Sequence, residues 1–579
     1  MVKMPKNEGV IIERDVEAKM RDGVVLRADI ARPKGKGKYP ALVTRTPYGK
    51  GVGKNLAEAG YVVISQDMRG RYASDGEFTP MFMPGYHDAA DGYDTVEWAA
   101  KLPYSEGKVG VFGISYASWA SWELASVRPP SLGAMFNGGY ATRITDWELG
   151  GVLRIGRVQQ WLFRSLNADL RKRKGFGPPN TKQEAEDLAV KDREKPLWYV
   201  PLKDLPDEFA GGCREIWHYW LDHHHEDVFD FKKRHPEVDV PVLHITGWHD
   251  RLVLTVDHFS GMRSNGRSAE TRNAQRLVVG PWSHGSNGPR QVGEMDFGAS
   301  AQLEFYDLMI KWFDHWLKGK QNGMMWSAPV QYFVMGENRW RTAKAWPVPD
   351  EKKKSYFLSS RGAANTPLGN GRLTTSSGKR GCDTYAYDPR DPVMSLFYPS
   401  GQDAPYDQSQ LSARNDILVY QTPKLRNGVR VVGRPEVILY ASSSAKDTDF
   451  IVKLMDVHPG GFVHQVSYGI VRARFRESFT EHKLLTPGKV YKYCIQMLPT
   501  ANLFKPGHRI RLDVMSSDFP NFDRNHNTGG DDYGESTFVV AMQKVFHGGK
   551  FGSWMELPVV GSRDSRTQRQ NRISSRSLG

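Results

Sequence analysis

The sequence predicts an α/β protein, a doubly wound, mostly parallel sheet interrupted by a helical insertion and followed by an all-β unit. Three observations carry this. Short apolar runs alternate with helical segments up to about residue 140. The apolar spacing then turns helical from Trp147 and returns to strand character at Val240–Thr246. After about residue 326 the chain is a succession of β-rich runs separated by turn residues, with no amphipathic helix of note between most of them. A βαβ rhythm implies a parallel sheet, whereas many short runs punctuated by turns imply an antiparallel sandwich or jelly roll.

The elements follow in order. Residues 9–18 and 23–32 alternate apolar and polar around Asp22-Gly23, which reads as a hairpin. Tyr39–Thr44, Tyr61–Gln66, Val109–Ile114 and Leu132–Asn137 read as buried strands, and 86–101 and 116–127 as helices. Ile155, Val158, Leu162 and Leu166 fall on one helical face, and a charged stretch spans about 181–195. Strands are expected at 240–246 and 276–281, and a long amphipathic helix at 300–318. The later β-runs are 329–335, 353–358, 435–442, 449–457, 466–473, 489–498, 508–516 and 536–546. The expected division is 1–144 and 240–326 for the α/β unit, 145–239 for a helical cap, 327–560 for the all-β unit, and 561–579 for a disordered basic tail. A length of 579 residues suits this, at roughly 100–200 residues per unit.

Composition narrows the function classes. The chain is 39% hydrophobic and 25% charged, ordinary for a soluble globular protein. Its net charge of +14 is partly tail, where Arg563, Arg566, Arg569, Arg572 and Arg576 stand among polar residues. The remaining basic residues form no stripe interleaved with aromatics, which argues against nucleic acid as a partner. Cys213, Cys382 and Cys494 are odd in number and far apart, so neither a disulfide framework nor a zinc site is implied. The start, Met1-Val2-Lys3-Met4-Pro5-Lys6, opens no apolar signal core, and the most apolar stretch, 109–121, is too short to span a bilayer. The expectation is a cytoplasmic protein with no membrane partner and no cofactor; a homo-oligomer is left open.

The chemistry centres on Ser115. In Val109-Gly110-Val111-Phe112-Gly113-Ile114-Ser115-Tyr116 a buried strand runs into a serine and then a helix. That is the sequence form of a nucleophile elbow, in which a tight turn holds the hydroxyl out of the backbone. A serine hydroxyl becomes nucleophilic when an imidazole takes its proton, and the imidazole needs a carboxylate to fix its tautomer. Asp250, in Gly247-Trp248-His249-Asp250, and His284, in Gly280-Pro281-Trp282-Ser283-His284, each follow a predicted strand. Open α/β sheets place their sites at those strand ends. The backbone N–H of Tyr116 and the phenol of Tyr48, in Thr46-Pro47-Tyr48-Gly49, are candidate oxyanion donors.

Together with Gln66-Asp67-Met68-Arg69-Gly70-Arg71-Tyr72-Ala73-Ser74-Asp75-Gly76, Arg434-Pro435-Glu436, Asp447-Thr448-Asp449-Phe450 and Gly507-His508-Arg509-Ile510-Arg511, these motifs resemble the CocE/NonD hydrolases. That group includes cocaine-esterase-type enzymes, α-amino acid ester hydrolases, glutaryl acylases and X-Pro dipeptidyl-peptidase relatives. The resemblance covers nearly the whole chain except the tail. It implies an α/β-hydrolase domain with an inserted helical cap and a C-terminal jelly roll. It also implies hydrolysis of small-molecule esters or amides through an acyl-enzyme, with Ser115 as nucleophile, Asp250 as orienting acid, His284 as base, and Tyr48 with the Tyr116 N–H as oxyanion hole. Two departures stand out. The second and third residues after the serine are Ala117 and Ser118, where the family often has Gly. Arg251, Leu252 and Val253 follow Asp250, where the amino acid ester hydrolases place carboxylates for a substrate ammonium, so an α-amino ester loses ground.

Other residues divide between binding and structure. Trp248, Trp282, Trp161 and Arg251 are the candidate substrate-binding residues, against core packing for Trp248 and Trp282, a buried helix face for Trp161, and an outward or structurally paired guanidinium in place of an acyl-carboxylate partner for Arg251. Trp147 and Phe163 line an acyl pocket or bury a helix face with equal weight. Asp67-Met68-Arg69-Gly70-Arg71 reads as a salt-bridged turn beneath the site. His223-His224-His225-Glu226-Asp227 reads as a solvated cap segment, since consecutive histidines do not share a helix face for a metal. The alternatives are an X-Pro dipeptidyl-peptidase, or a non-catalytic carbohydrate- or partner-binding protein on the same scaffold.

Overall fold

A computed structural model describes residues 9–192, 194–285, 288–396 and 403–561. The expected basic tail lies outside the described residues apart from Gly561. The first eight strands are β1 (Val10–Lys19), β2 (Val25–Pro33), β3 (Tyr39–Thr46), β4 (Val62–Asp67), β5 (Ser105–Ile114), β6 (Leu132–Gly138), β7 (Val242–His249) and β8 (Arg276–Ser283). They lie side by side in the order β1-β2-β4-β3-β5-β6-β7-β8. β1 and β2 form the expected antiparallel hairpin, β2 meets β4 antiparallel, and β3 through β8 run parallel. Every residue of β4 and β8 is buried, as expected of parallel strands covered on both faces.

The chain steps from β4 on one side of β3 to β5 on the other. That reversal opens a crevice at the C-terminal ends of β3 and β5, the place where such sheets bind ligands. Tyr48 follows β3 and Ser115 follows β5, so both candidate residues stand at its rim.

The sheet runs further than the boundary expected at 326/327. The strand Val330–Val334 pairs parallel with β8, and Arg339–Ala343 pairs antiparallel with it in turn. A β-rich run shows its conformation in sequence, but not which sheet it will join. Beyond these strands an all-β unit of thirteen strands follows, almost all antiparallel. The helix expected at 300–318 is Phe305–Trp316, preceded by a short turn at Ala299–Ala301.

Between β6 and β7 the described residues form helices and one isolated β-bridge between Arg143 and Asp230, the helices running from Ile144–Glu148 to Arg214–His223 and a last 3-10 segment at Phe231–Glu237. Ile155, Val158, Leu162 and Leu166, read as one face, are all buried. The charged stretch supplies the helix Lys182–Lys191, started by a capping box between Thr181 and Glu184 and burying only Ala185. Residues Gln160–Leu166 form a π-helical turn. The cap also binds the all-β unit: Gly156 N donates to Pro520 O at 2.9 Å, and Arg154 donates to Tyr468 Oη at 2.8 Å.

Candidate active site

Ser115 has φ 60° and ψ −126°, a left-handed conformation that a non-glycine residue adopts at a cost of roughly 1–3 kcal/mol. Surrounding structure imposes it. A Cβ at Gly113 would lie 2.5 Å from the carbonyl carbon of Ala117, so only glycine lets the helix Tyr116–Ser126 fold back over β5. Ser115 N donates to Gly138 O at 3.0 Å. Ser118, one of the two departures, fastens the same turn. Its hydroxyl lies 2.7 Å from Gly113 O and 3.0 Å from Gly138 O, and it accepts from Gly138 N at 3.0 Å.

The candidate acid and base meet on the far side of that junction. His284 Nδ1 is 2.9 Å from Asp250 Oδ1, which also accepts from Leu252 N at 2.7 Å. Asp250 is buried and His284 half-buried. With Nδ1 held by the carboxylate, Nε2 is the nitrogen able to take a serine proton. Gly139 is what lets this pair approach. Its φ is +56°, and a Cβ there would lie 3.0 Å from Asp250 Oδ2 and 3.1 Å from His284 Cε1. Gly138 and Gly139 thus join the serine's turn to the acid–base pair.

Tyr48 stands on a loop pinned from two sides. Arg71 Nε donates to Pro47 O at 2.8 Å, and the buried Asp67 accepts from Lys50 N at 2.7 Å and Lys50 Nζ at 2.9 Å. The Asp67–Arg71 segment therefore serves as the expected buttress beneath the site. Burial pushes the Tyr48 phenol up to about 12, so it keeps its proton at neutral pH. Tyr48 Oη accepts from Trp161 Nε1 at 2.8 Å. Tyr116 is the first residue of its helix, and a first-turn N–H has no intrahelical acceptor. Its phenol is turned inward, donating to Asp88 Oδ2 at 3.1 Å and accepting from Met81 N at 3.2 Å.

Beside these residues lies a small apolar cleft lined by Met81, Phe82, Trp119, Ile144, Trp147, Trp220 and Phe229. Trp161 joins it to Tyr48 and Tyr116. Its ring stacks on Tyr116 at 6.1 Å and meets Phe82, Trp147 and Trp220 at about 6 Å. Trp147 is therefore a wall of the cavity, whereas Phe163 packs on Trp217 away from it. Glu148, buried behind Trp220, accepts from Trp220 Nε1 at 3.0 Å and Arg154 N at 2.6 Å, and burial pushes its carboxyl up to about 8.

A second cavity, of about 30 Å³, opens behind Asp250 and is lined in part by Trp248, Arg251, Asp403 and Tyr468. Arg251 Nη1 lies 3.6 Å from Asp403 Oδ2, while Arg157 Nη2 reaches Asp403 Oδ1 at 2.6 Å. The expected substrate partner of Arg251 is thus replaced by a carboxylate of the all-β unit. The guanidinium groups of Arg157, Arg251 and Arg154 hold Asp403 down at about 2.

Two other expected binding residues are structural in this fold. Trp282 is buried against Trp340 and donates to Ala301 O at 3.0 Å, so it belongs to the core. Trp248 touches the second cavity, but its indole is anchored to Phe333 O at 2.6 Å and packed on Trp346. Both are drawn inward because the strand Val330–Val334 and its neighbours cover the end of the sheet, which sequence spacing did not reveal. The histidine run is only partly solvated: His223 and Glu226 are half-buried and Asp227 is exposed, but the middle of the run turns inward. His224 is buried between Leu221 O and Tyr533 Oη, each at 3.1 Å, and His225 stacks on Phe475, so the run docks the cap on the all-β unit.

Metal-ligand types gather in the all-β unit at Asp456, His458 and His508 and at His526, Asp532 and Glu535. In the first group His508 Nδ1 is already paired with Asp456 Oδ1 at 2.7 Å; in the second, Asp532 already faces Arg472 at 3.2 Å. Among the described residues no helix is long and apolar enough to cross a membrane.

Residues 22–286 match the family model described as X-Pro dipeptidyl-peptidase (S15 family), and residues 322–555 match the model of the X-Pro dipeptidyl-peptidase C-terminal non-catalytic domain. A cocaine esterase of Rhodococcus sp. (strain MB1 Bresler) is 34% identical over 95% of this chain and 98% of its own. The crystal structure of an α-amino acid ester hydrolase superposes with a TM-score of 0.78 at 25% identity, covering 96% of this chain and 98% of that one. A CocE/NonD family hydrolase from Staphylococcus aureus shares the fold, with a TM-score of 0.67 at 20% identity over 95% of this chain and 94% of that one.

Proposed function

We propose that this chain, a member of the CocE/NonD family of serine hydrolases that act on ester or amide bonds, is a carboxylesterase for small esters with an apolar acyl group. Ser115 attacks the carbonyl while His284 Nε2 takes its proton and Asp250 steadies the imidazolium. The oxyanion is held by the Tyr116 N–H and the Tyr48 hydroxyl. His284 returns the proton to the departing alkoxide, leaving the acyl group on Ser115 Oγ. Water, deprotonated by His284, then releases the acid and restores Ser115. The observation that carries this reading is the Gly138–Gly139 junction, which bonds the strained Ser115 turn on one side and seats the Asp250–His284 pair on the other.

The acyl preference rests on the cleft beside Tyr116, all of whose lining residues are apolar or aromatic. No carboxylate lines it to anchor a peptide N-terminus, and Arg251, Leu252 and Val253 offer none to an α-amino group. These features favour an ester over an X-Pro peptide or an amino ester. A cytoplasmic setting belongs to the same reading, and the free thiols of Cys213, Cys382 and Cys494 suit it.

The decisive experiment compares p-nitrophenyl benzoate, p-nitrophenyl acetate and an Xaa-Pro anilide on the wild type and Ser115→Ala. The benzoate is expected to give the highest kcat/KM, and Ser115→Ala to lose both turnover and labelling by a fluorophosphonate. Labelling that persists on the variant overturns the role of Ser115, and faster cleavage of the anilide overturns the choice of substrate.

A further inference from the structure

We propose that Trp161, carried by the π-helical turn of the cap, is the positioning residue that aims the Tyr48 proton into the oxyanion hole. The proposal rests on the reading of Tyr48 as an oxyanion donor. The direction of the 2.8 Å bond between the two side chains is fixed by chemistry, because an indole N–H only donates. Tyr48 Oη is therefore the acceptor and has one lone pair occupied. Its single proton cannot lie along the same line, and it is left to donate elsewhere. A phenol that rotates freely must be oriented when the oxyanion forms; one already engaged by Trp161 is oriented beforehand, which is where oxyanion stabilisation gains its strength. Accepting a hydrogen bond also polarises the phenolic O–H and makes it a better donor.

The indole itself is held fast. Its ring lies nearly parallel to that of Tyr116, at an interplanar angle of 22°, and is braced by the rings of Phe82, Trp147 and Trp220. Trp161 therefore touches both proposed donors, one by hydrogen bond and the other, whose backbone N–H is the working group, by its ring. The π-turn Gln160–Leu166 changes the rotation of successive residues relative to an α-helix, and such turns recur at functional sites. Here it carries Trp161, whose N–H meets Tyr48. Seating of the cap and completion of the oxyanion hole thus become one event.

The test is a double-mutant cycle. Tyr48→Phe is expected to lower kcat about 100-fold, the usual loss of one oxyanion donor. Trp161→Phe keeps an aromatic ring and removes the N–H; it is expected to lower kcat about tenfold with KM within about twofold, a loss felt in the transition state alone. In the Tyr48→Phe background, Trp161→Phe is expected to cost no further activity. Equal losses in both backgrounds, or a rise in KM at unchanged kcat, would reduce Trp161 to a pocket wall and overturn the inference. Tyr48→Phe without effect overturns the reading beneath it instead, so the two failures are separable. Thermal melting checks that each variant is folded. Should Trp161→Phe not fold, β-(3-benzothienyl)alanine at position 161 replaces only the N–H by sulfur, and the same outcomes apply.

Discussion

A methyl group at position 139 would press on Asp250 and His284 together, and it would do so on a backbone that alanine resists at φ +56°. Gly139→Ala is therefore expected to displace the acid–base pair and lower kcat about 100-fold, the scale of a misplacement near 1 Å. The strain itself should cost roughly 1–3 kcal/mol of stability. Single-turnover acylation with thermal melting separates the two effects, and an unaltered acylation rate would show that the pair does not depend on Gly139. At this scale the sequence was informative where chain order carried the signal. Ser115, Asp250 and His284 each follow a strand, and Tyr48 follows another. The Tyr48–Trp161 bond left no such trace, because it joins β3's loop to a π-turn, and neither spacing nor periodicity marks a π-turn in advance.

Among the elements, Ser118 shows how a departure in sequence can be a fastening in structure. Its hydroxyl ties the helix Tyr116–Ser126 to the ends of β5 and β6, a connection that glycine or alanine cannot make. Ser118→Ala leaves Gly138 N without that acceptor and is expected to cost about 1–3 kcal/mol. Urea denaturation measures it; a change under about 0.5 kcal/mol, the range of ordinary surface substitutions, would mean the tie is dispensable. The strands of the parallel sheet were legible because burial on both faces makes continuous apolar runs. Membership was not: Val330–Val334 looks like any strand of the all-β unit, and only its register against β8 places it. The motifs of the C-terminal half have a comparable explanation. Arg434 pairs with Asp257 across the units and Asp449 with Arg472 across two strands, while Arg511 pairs with Asp513 along its own strand, so those motifs are ion pairs rather than reacting groups.

For the molecule as a whole, Glu148 links protonation to stability. Its folded value of about 8 lies above its ordinary 4.5, so between those limits the folded protein keeps a proton that the unfolded chain has released. Stability must then fall as pH rises through that window, and the contribution is fully lost above about 8. Glu148→Gln, neutral at every pH, is expected to gain on the wild type steadily between pH 5 and pH 8. Thermal melts at several pH values read the difference, and a constant gap would mean that Glu148 is ionised throughout. The same residue lies behind Trp220, so the cavity wall and the pH response share one support. Sequence placed Glu148 in the cap but could not show it buried, because burial there depends on the all-β unit that Arg154 grips.

The extension of the parallel sheet past β8 bears on how the protein is made. β8 delivers His284, yet its outer edge is completed only by Val330, Gln331 and Tyr332, which lie on Leu277, Val278 and Val279. A nascent chain halted before residue 330 would carry Ser115, Asp250 and His284 and still present a bare row of backbone donors and acceptors along β8, an invitation to pair with another chain. The half that carries Ser115, Asp250 and His284 is thus sealed by the half that synthesis delivers last, and premature termination is expected to yield a sticky polypeptide rather than a smaller folded unit.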